Sequence, residues 1–162
     1  MEEAKRRFRD ALGLYATGVV VVTTVDKSQN DRPTGMTVNS FTSLSLDPPL
    51  VLWNLGDHAD CYGVFSGASH FCAHVLHQGQ ESVSRRFATK SDDKFAGIEW
   101  SPGLGGVPVL SDYAARFECA TEAFYPGGDH LIIVGRVVNF EARASAEPLL
   151  FFLGKYRQLQ SQ

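Results

Sequence analysis

A chain of 162 residues, 44% hydrophobic and 20% charged, has the length and balance of one domain with one packed core, and no apolar run approaches a membrane-spanning helix. A net charge of −3, with the arginine pairs at 6–7 and 85–86 isolated from each other, leaves no basic stripe for a nucleic acid. Three cysteines without a CxxC spacing exclude a disulfide framework, and the charged start MEEAKRRFRDAL lacks an apolar leader, so a single cytoplasmic domain over residues 1–162 is expected.

In chain order, Phe8, Leu12 and Tyr15 at near-helical spacing predict a short amphipathic helix, with Gly18 as its stop. The β-branched run VVVVTTV (19–25) predicts a strand, the polar DKSQNDRP a hairpin loop, and TGMTVNSF the returning strand. Further strands are expected at 50–55, 70–76, 113–125 and 130–142, with a seventh in PLLFFLGKYRQL. Short helices are expected from Asp60, over 79–88 and from Ser91, while SPGLGGVP (101–108) reads as a loop. The two long strands are separated by a few residues that include Gly127 and Gly128, which dictates an antiparallel hairpin, and the architecture expected is a mainly β antiparallel barrel with peripheral helices.

Several stretches invite chemistry. The GLGG at 103–106 fails as a dinucleotide loop, because the third glycine of the motif falls on Pro108 and no strand-to-helix turn surrounds it. His70, Cys72 and His74 share one face of a strand, with His77 nearby, and are weighed as metal ligands against ordinary packing, which is favoured. Between Thr37 and Ser45 stand Asn39, Ser40, Thr42 and Ser43, a density of hydrogen-bonding groups that costs roughly 1–3 kcal/mol for each one left unpaired beside a core. They serve either a ligand rich in carbonyl and phosphate oxygens or a turn that bonds to itself. Arg85, Arg86 and Lys90 at a helix end read as a phosphate clamp or as a solvated basic face. In GGDH, a turn accounts for the glycines and Asp129 but leaves His130 without a role.

Taken together, TGVVVVTT, GMTVNSFTSLSLDPPLVLW, SRRFATKSDDKFAGIEW and GGDHLIIVGRV, in this order over about Phe8 to Tyr156, resemble the short-chain flavin reductases, the small components of two-component flavin-dependent monooxygenases. The resemblance implies a split β-barrel that binds FMN or FAD, uses NADH or NADPH, and forms a homodimer with the ligand near the subunit interface. It implies flavin contacts at Thr37, Val38, Asn39, Ser40 and Ser43, an approach by Trp53, Asn54 and Leu55, and a phosphate end at Arg86, Phe87 and Lys90. Gly128, Asp129 and His130 would engage the nicotinamide dinucleotide, with His130 as the residue acting in catalysis, and Tyr156 would belong to a closing C-terminal segment. Asp60 stands where such reductases carry Ser or Thr, and is expected to cap its helix and point away from phosphate; His74 replaces a frequent Asn.

The implied reaction is hydride transfer from nicotinamide to flavin, whose reduced form passes to a separate oxygenase. Two other readings use the same residues: a flavin-holding electron carrier or sensor that never meets nicotinamide, and a barrel with a metal on His70, Cys72 and His74.

Overall fold

The run of valines that opens the second strand decides the architecture. In the computed structural model, which describes residues 1–160, β1 (Thr17–Gly18) and β2 (Val20–Asp26) follow an N-terminal helix α1 (Glu2–Leu12), and every residue of β2 is buried. Val20 and Val22 face one core, built around Trp53, Leu55, Phe65 and Phe71; Val19 and Val21 face another, with Leu76, Phe87, Leu110 and Leu149. A strand covered on both faces has no polar side to show, which is why its sequence does not alternate.

The chain continues through β3 (Arg32–Val38), β4 (Thr42–Leu46), β5 (Pro49–Gly56), α2 (Tyr62–Phe65), β6 (His70–Val75), α3 (Glu81–Ala88), β7 (Trp100–Pro102), β8 (Pro108–Leu110), β9 (Ala115–Gly127), β10 (His130–Ala142), β11 (Leu150–Phe152) and β12 (Lys155–Arg157). A seven-stranded sheet runs in the order β3-β2-β6-β9-β10-β5-β4, with every neighbouring pair antiparallel. A second sheet joins β1, β11 and β12, and a third pairs β7 with β8. The fold is mainly β and antiparallel, as expected. Its edges, β3 and β4, do not pair with each other.

Two glycines admit aromatic rings where a methyl group has no room. A Cβ on Gly35 would stand 2.8 Å from the Phe87 ring, so α3 packs down onto β3, and Phe71 lies over Gly135, opposite a bulge in β9, in the same way.

Five expectations need correction. The first helix ends at Gly13, and Gly18 pairs with Leu150 in β1. β4 was not anticipated: as an edge strand it leaves Thr42, Ser43, Leu44 and Leu46 exposed, so its side chains show no buried face to reveal it. The segment from Ser91 is not helical, because Ser91 Oγ and Asp93 Oδ1 each accept the backbone N–H two residues on and turn the chain locally. Residues 101–108 are not a plain loop: β7 and β8 bracket a turn pinned by Leu104 N–H donating to Glu118 Oε2 at 2.8 Å. Asp60 does not cap α2, whose N-cap is Cys61; its carboxylate lies 3.3 Å from Lys90 Nζ.

His74, on β6, joins β2 to β8. Its Nδ1 donates to the Val21 carbonyl at 3.0 Å, which fixes the tautomer, and its Nε2 accepts from Leu110 N–H at 3.0 Å, clasping β8 onto the sheet. Both His74 nitrogens are engaged within the fold, and His70 Nδ1 lies 3.0 Å from Ser69 Oγ. Full burial lowers the His74 pKa to about 4, the Val21 carbonyl acting in the opposite sense. An unfolded histidine takes up its proton below about 6.5. The neutral clasp therefore contributes its full stability above that pH and loses it progressively as pH falls towards 4, a loss on the order of 3 kcal/mol. Urea unfolding at pH 7, 5.5 and 4 is expected to show this decline in the wild type and a shallower one in His74→Asn; parallel declines would assign the effect to carboxylates instead.

Candidate functional site

The polar stretch after β3 divides into groups that hold the fold and groups left over. Thr37 Oγ1 donates to the Ser84 carbonyl at 2.7 Å, and Ser84 Oγ shares a hydrogen bond of 2.7 Å with Tyr156 OH. This chain ties the edge strand to α3 and to the C-terminal hairpin. Tyr156 is further held by Phe151 at 5.5 Å between ring centroids, and by the Arg85 guanidinium 4.8 Å above its face. Between these elements opens a cavity of about 210 Å³ lined by Thr37, Val38, Asn39, Ser84, Phe151 and Tyr156. Four of the residues expected at a flavin thus meet in one place. Ser84 and Phe151 were missed; the spacing of Ser84 to Phe87 and Ala88 on one helix face was the available signal.

Ser40 serves closure. Its hydroxyl accepts from Asn54 N–H at 2.9 Å and reaches the Asn54 carbonyl at 3.3 Å, drawing the end of β3 to β5 across the open side of the sheet. Asn39 is exposed, and its amide makes no hydrogen bond among the described residues. Because β3 pairs only with β2, one row of its backbone N–H and C=O groups also stays unpaired by strand hydrogen bonds. Free donors beside an apolar cavity suit the ring carbonyls and nitrogens of a flavin, and in that sense the residues present fit the group. Ser43 is exposed on β4, opposite Val51.

Other expected contacts lie inside the protein. Trp53 and Leu55 are fully buried, the indole edge-on to Phe65 at 5.1 Å, with its Nε1 unpartnered. Phe87 is fully buried beneath Gly35. Their side chains build the wall behind the site. Arg86 gives Nη1 to the Ala96 carbonyl at 2.6 Å and so braces the segment after α3. Lys90 lies in a separate cavity of about 300 Å³ at the other end of β3, with Arg32, Cys61 and Lys94. Lys94 is committed to the carbonyls of Phe87 and Gly35, whereas Lys90 holds only Asp60.

His130 stands at the hairpin mouth, paired in register with Gly56, and Asn54 pairs with Ile132 on the same face of the sheet. Gly128 takes the left-handed conformation at φ +68°, which lets the turn close. His130 Nδ1 lies 2.7 Å from Asp129 Oδ1, and this bond is the largest cause holding the Asp129 carboxyl below its ordinary range. A carboxylate only accepts, so the proton sits on Nδ1. Nε2 is then the ring nitrogen left for a ligand, 3.6 Å from where a Cβ on Gly56 would be. Glycine at 56 keeps that nitrogen accessible.

The chain resembles known proteins over nearly its full length. A model of the flavin reductase like domain matches residues 12–160. The FMN reductase (NADH) SmoA of Agrobacterium fabrum is 44% identical over 99% of this chain and 89% of its own length. The reductase subunit HsaB of a flavin-dependent monooxygenase from Rhodococcus jostii is 37% identical over 96% of this chain and 78% of its own. The NADH:FAD oxidoreductase SgcE6 of Streptomyces globisporus, solved in complex with NAD and FAD fragments, superposes with a TM-score of 0.91 at 37% identity over 99% of this chain and 95% of its own. The chain belongs to the family of flavin reductase like domains.

Proposed function

We infer that this protein is an NAD(P)H-dependent flavin reductase that supplies reduced flavin to a separate monooxygenase. The observation that carries this reading is the convergence of Thr37, Val38, Asn39 and Tyr156 on one cavity in a chain of this family. When bound, the flavin supplies the hydride-accepting chemistry, and the protein supplies position. Asn39 and the free row of β3 hold the ring edge, and Tyr156, fixed through Ser84 and Arg85, walls the cavity. His130 acts on the nicotinamide donor: its Nε2 accepts from a carboxamide N–H or a ribose hydroxyl in the space above Gly56. What the chain itself would contribute is proximity and orientation of its two ligands, which calls for no acid or base among its side chains.

A homodimer and a split barrel belong to the same reading. In support of the barrel, Ser40 bridges to Asn54 across the open side of the sheet. In support of the dimer, α1 buries none of its residues, leaving Phe8, Leu12 and Tyr15 exposed, and Leu46 on β4 and Phe140 on β10 are also bare. Three free cysteines fit a reducing cytoplasm.

Oxidation of NADH and NADPH, followed with riboflavin, FMN and FAD in turn, tests the activity; a yellow protein that consumes neither donor would be an electron carrier. Lys90→Ala is expected to weaken FMN and FAD by about tenfold and to spare riboflavin, which has no phosphate. Arg86→Ala is expected to lower stability and weaken all three flavins alike, because its guanidinium braces Ala96. Flavin fluorescence titrations separate the two, and a selective loss of FMN and FAD in Arg86→Ala would move the phosphate to Arg86. His130→Ala is expected to raise the apparent KM for NADH or slow flavin reduction by roughly 10- to 100-fold with flavin affinity unchanged. Stopped-flow reduction decides it: normal reduction with poor flavin retention removes His130 from the donor site.

A further inference from the structure

The cavity beside Tyr156 has two walls that spring from one junction. One wall is α3, with Ser84 and Ala88; the other is the β11–β12 hairpin, with Phe151 and Tyr156. Both begin where residues 76–78, leading into α3, lie against 147–149, leading into β11. Leu149 N–H donates to the Leu76 carbonyl and Gln78 N–H to the Glu147 carbonyl, each at 2.9 Å, and His77 forms a β-bridge with Pro148. His77 thus stands at the root of both walls without lining the cavity itself.

Its imidazole is held at both nitrogens. Nδ1 accepts from Gly79 N–H at 3.1 Å while His77 N–H donates to Gln80 Oε1 at 3.0 Å, a reciprocal cap on the 3₁₀ turn Gln78–Gln80 that runs straight into α3. With Nδ1 bare, the ring proton sits on Nε2, which donates to Asp112 Oδ2 at 2.9 Å. Asp112 Oδ1 accepts from Arg143 Nη1 at 2.7 Å. Burial acts to raise the Asp112 carboxyl, but the hydrogen bonds and charges of His77 and Arg143 outweigh it and hold the group below the ordinary carboxylate range. Asp112 therefore stays ionised across the interval, about pH 8 to 5, in which an imidazole changes charge.

A second ring proton has one place to go, Nδ1, where it would face the Gly79 N–H. The imidazolium keeps its bond to the Asp112 carboxylate and loses Gly79. No other charged group at the junction restores the cap: Arg143 is turned to Asp112 and the Ser111 carbonyl, Glu81 pairs with Arg85, and Glu147 meets the turn through its backbone carbonyl.

We propose that His77 is a positioning residue for the cavity beside Tyr156: its neutral form caps the turn leading into α3 and fixes the wall that carries Ser84, and its protonated form releases that cap. The inference rests on the reading of this cavity as the flavin site. Flavin and proton then oppose each other, because a ligand that selects the capped wall must re-form it in the protonated protein. Affinity is full above the imidazole interval and falls as pH drops through it. His77→Asn separates cap from charge, since an Asn Oδ1 at this extended residue (φ −88°, ψ 166°) accepts from Gly79 N–H as other cap residues do and does not titrate. His77→Ser, a shorter cap, is the second variant.

The test is fluorescence titration of the full chain with riboflavin, which has no phosphate to titrate, at pH 7.5 and 5.5. The wild type is expected to lose affinity by about three- to tenfold at the lower pH, the worth of one helix cap, and each variant to hold one affinity at both. A wild-type affinity that does not change with pH, or an equal loss in both variants, would overturn the proposal. If riboflavin binds at neither pH, the flavin reading fails and amide hydrogen exchange at Gly79 and along α3, corrected for intrinsic rates, decides His77 alone. Protection lost at pH 5.5 in the wild type but kept in His77→Asn upholds the cap, and the same response in both overturns it.

Discussion

The constraint on which this molecule depends is that β2 must be covered twice. A strand of valines and threonines has no face that water can satisfy, so one side takes the Trp53 core and the other the core under α3. The two threonines make this possible at the polar end: Thr23 Oγ1 donates to the Pro108 carbonyl and Thr24 Oγ1 to the His70 carbonyl, so neither hydroxyl is left orphaned. The candidate site residues sit beside these two layers. The cavity beside Tyr156 borders the second core, and the hairpin mouth at His130 closes the far end of the first.

Hydrogen-bonding capacity near the site is divided between architecture and ligand. Thr37 and Ser40 looked equivalent to Asn39 as ligand contacts, yet the protein uses both hydroxyls internally, Thr37 on α3 and Ser40 on β5. Of these three, Asn39 alone keeps its side chain without a hydrogen bond among the described residues. The same division separates Arg86, which braces the chain, from Lys90, whose single partner is the Asp60 carboxylate. Side chains that hold a site rigid are as necessary as those that touch the ligand, because a loosely held contact loses its orientation.

How far the sequence was legible follows from which interactions are local. The valine run, the GG hairpin and the β-branched strands declare themselves through period and turn chemistry, and the structure has them near their expected bounds. β4 was hidden because an edge strand with exposed serines and leucines has the composition of a loop. The 91–97 segment misled because Ser91 and Asp93 favour both helix starts and turns, and only their actual backbone partners distinguish the two. Asp60, Trp53 and Phe87 depended on contacts across the fold. An ion pair with Lys90, a ring against Phe65 and a ring against Gly35 join residues up to dozens of positions apart, and no local pattern encodes them.

The hydrogen-bonded chain from Thr37 through Ser84 to Tyr156 also has a consequence in time. Val19 and Tyr156, far apart in sequence, line one cavity, and among the described residues β1 pairs with β11 alone. During synthesis the ribosome must release every element from β1 through β12 before that wall can exist. A nascent chain carrying a finished β2–β3 hairpin would therefore have one face of α3 and the valine layer still uncovered. The cavity beside Tyr156 is complete only once the β11–β12 hairpin has docked, and a polypeptide lacking that hairpin would be left with an unfinished cavity.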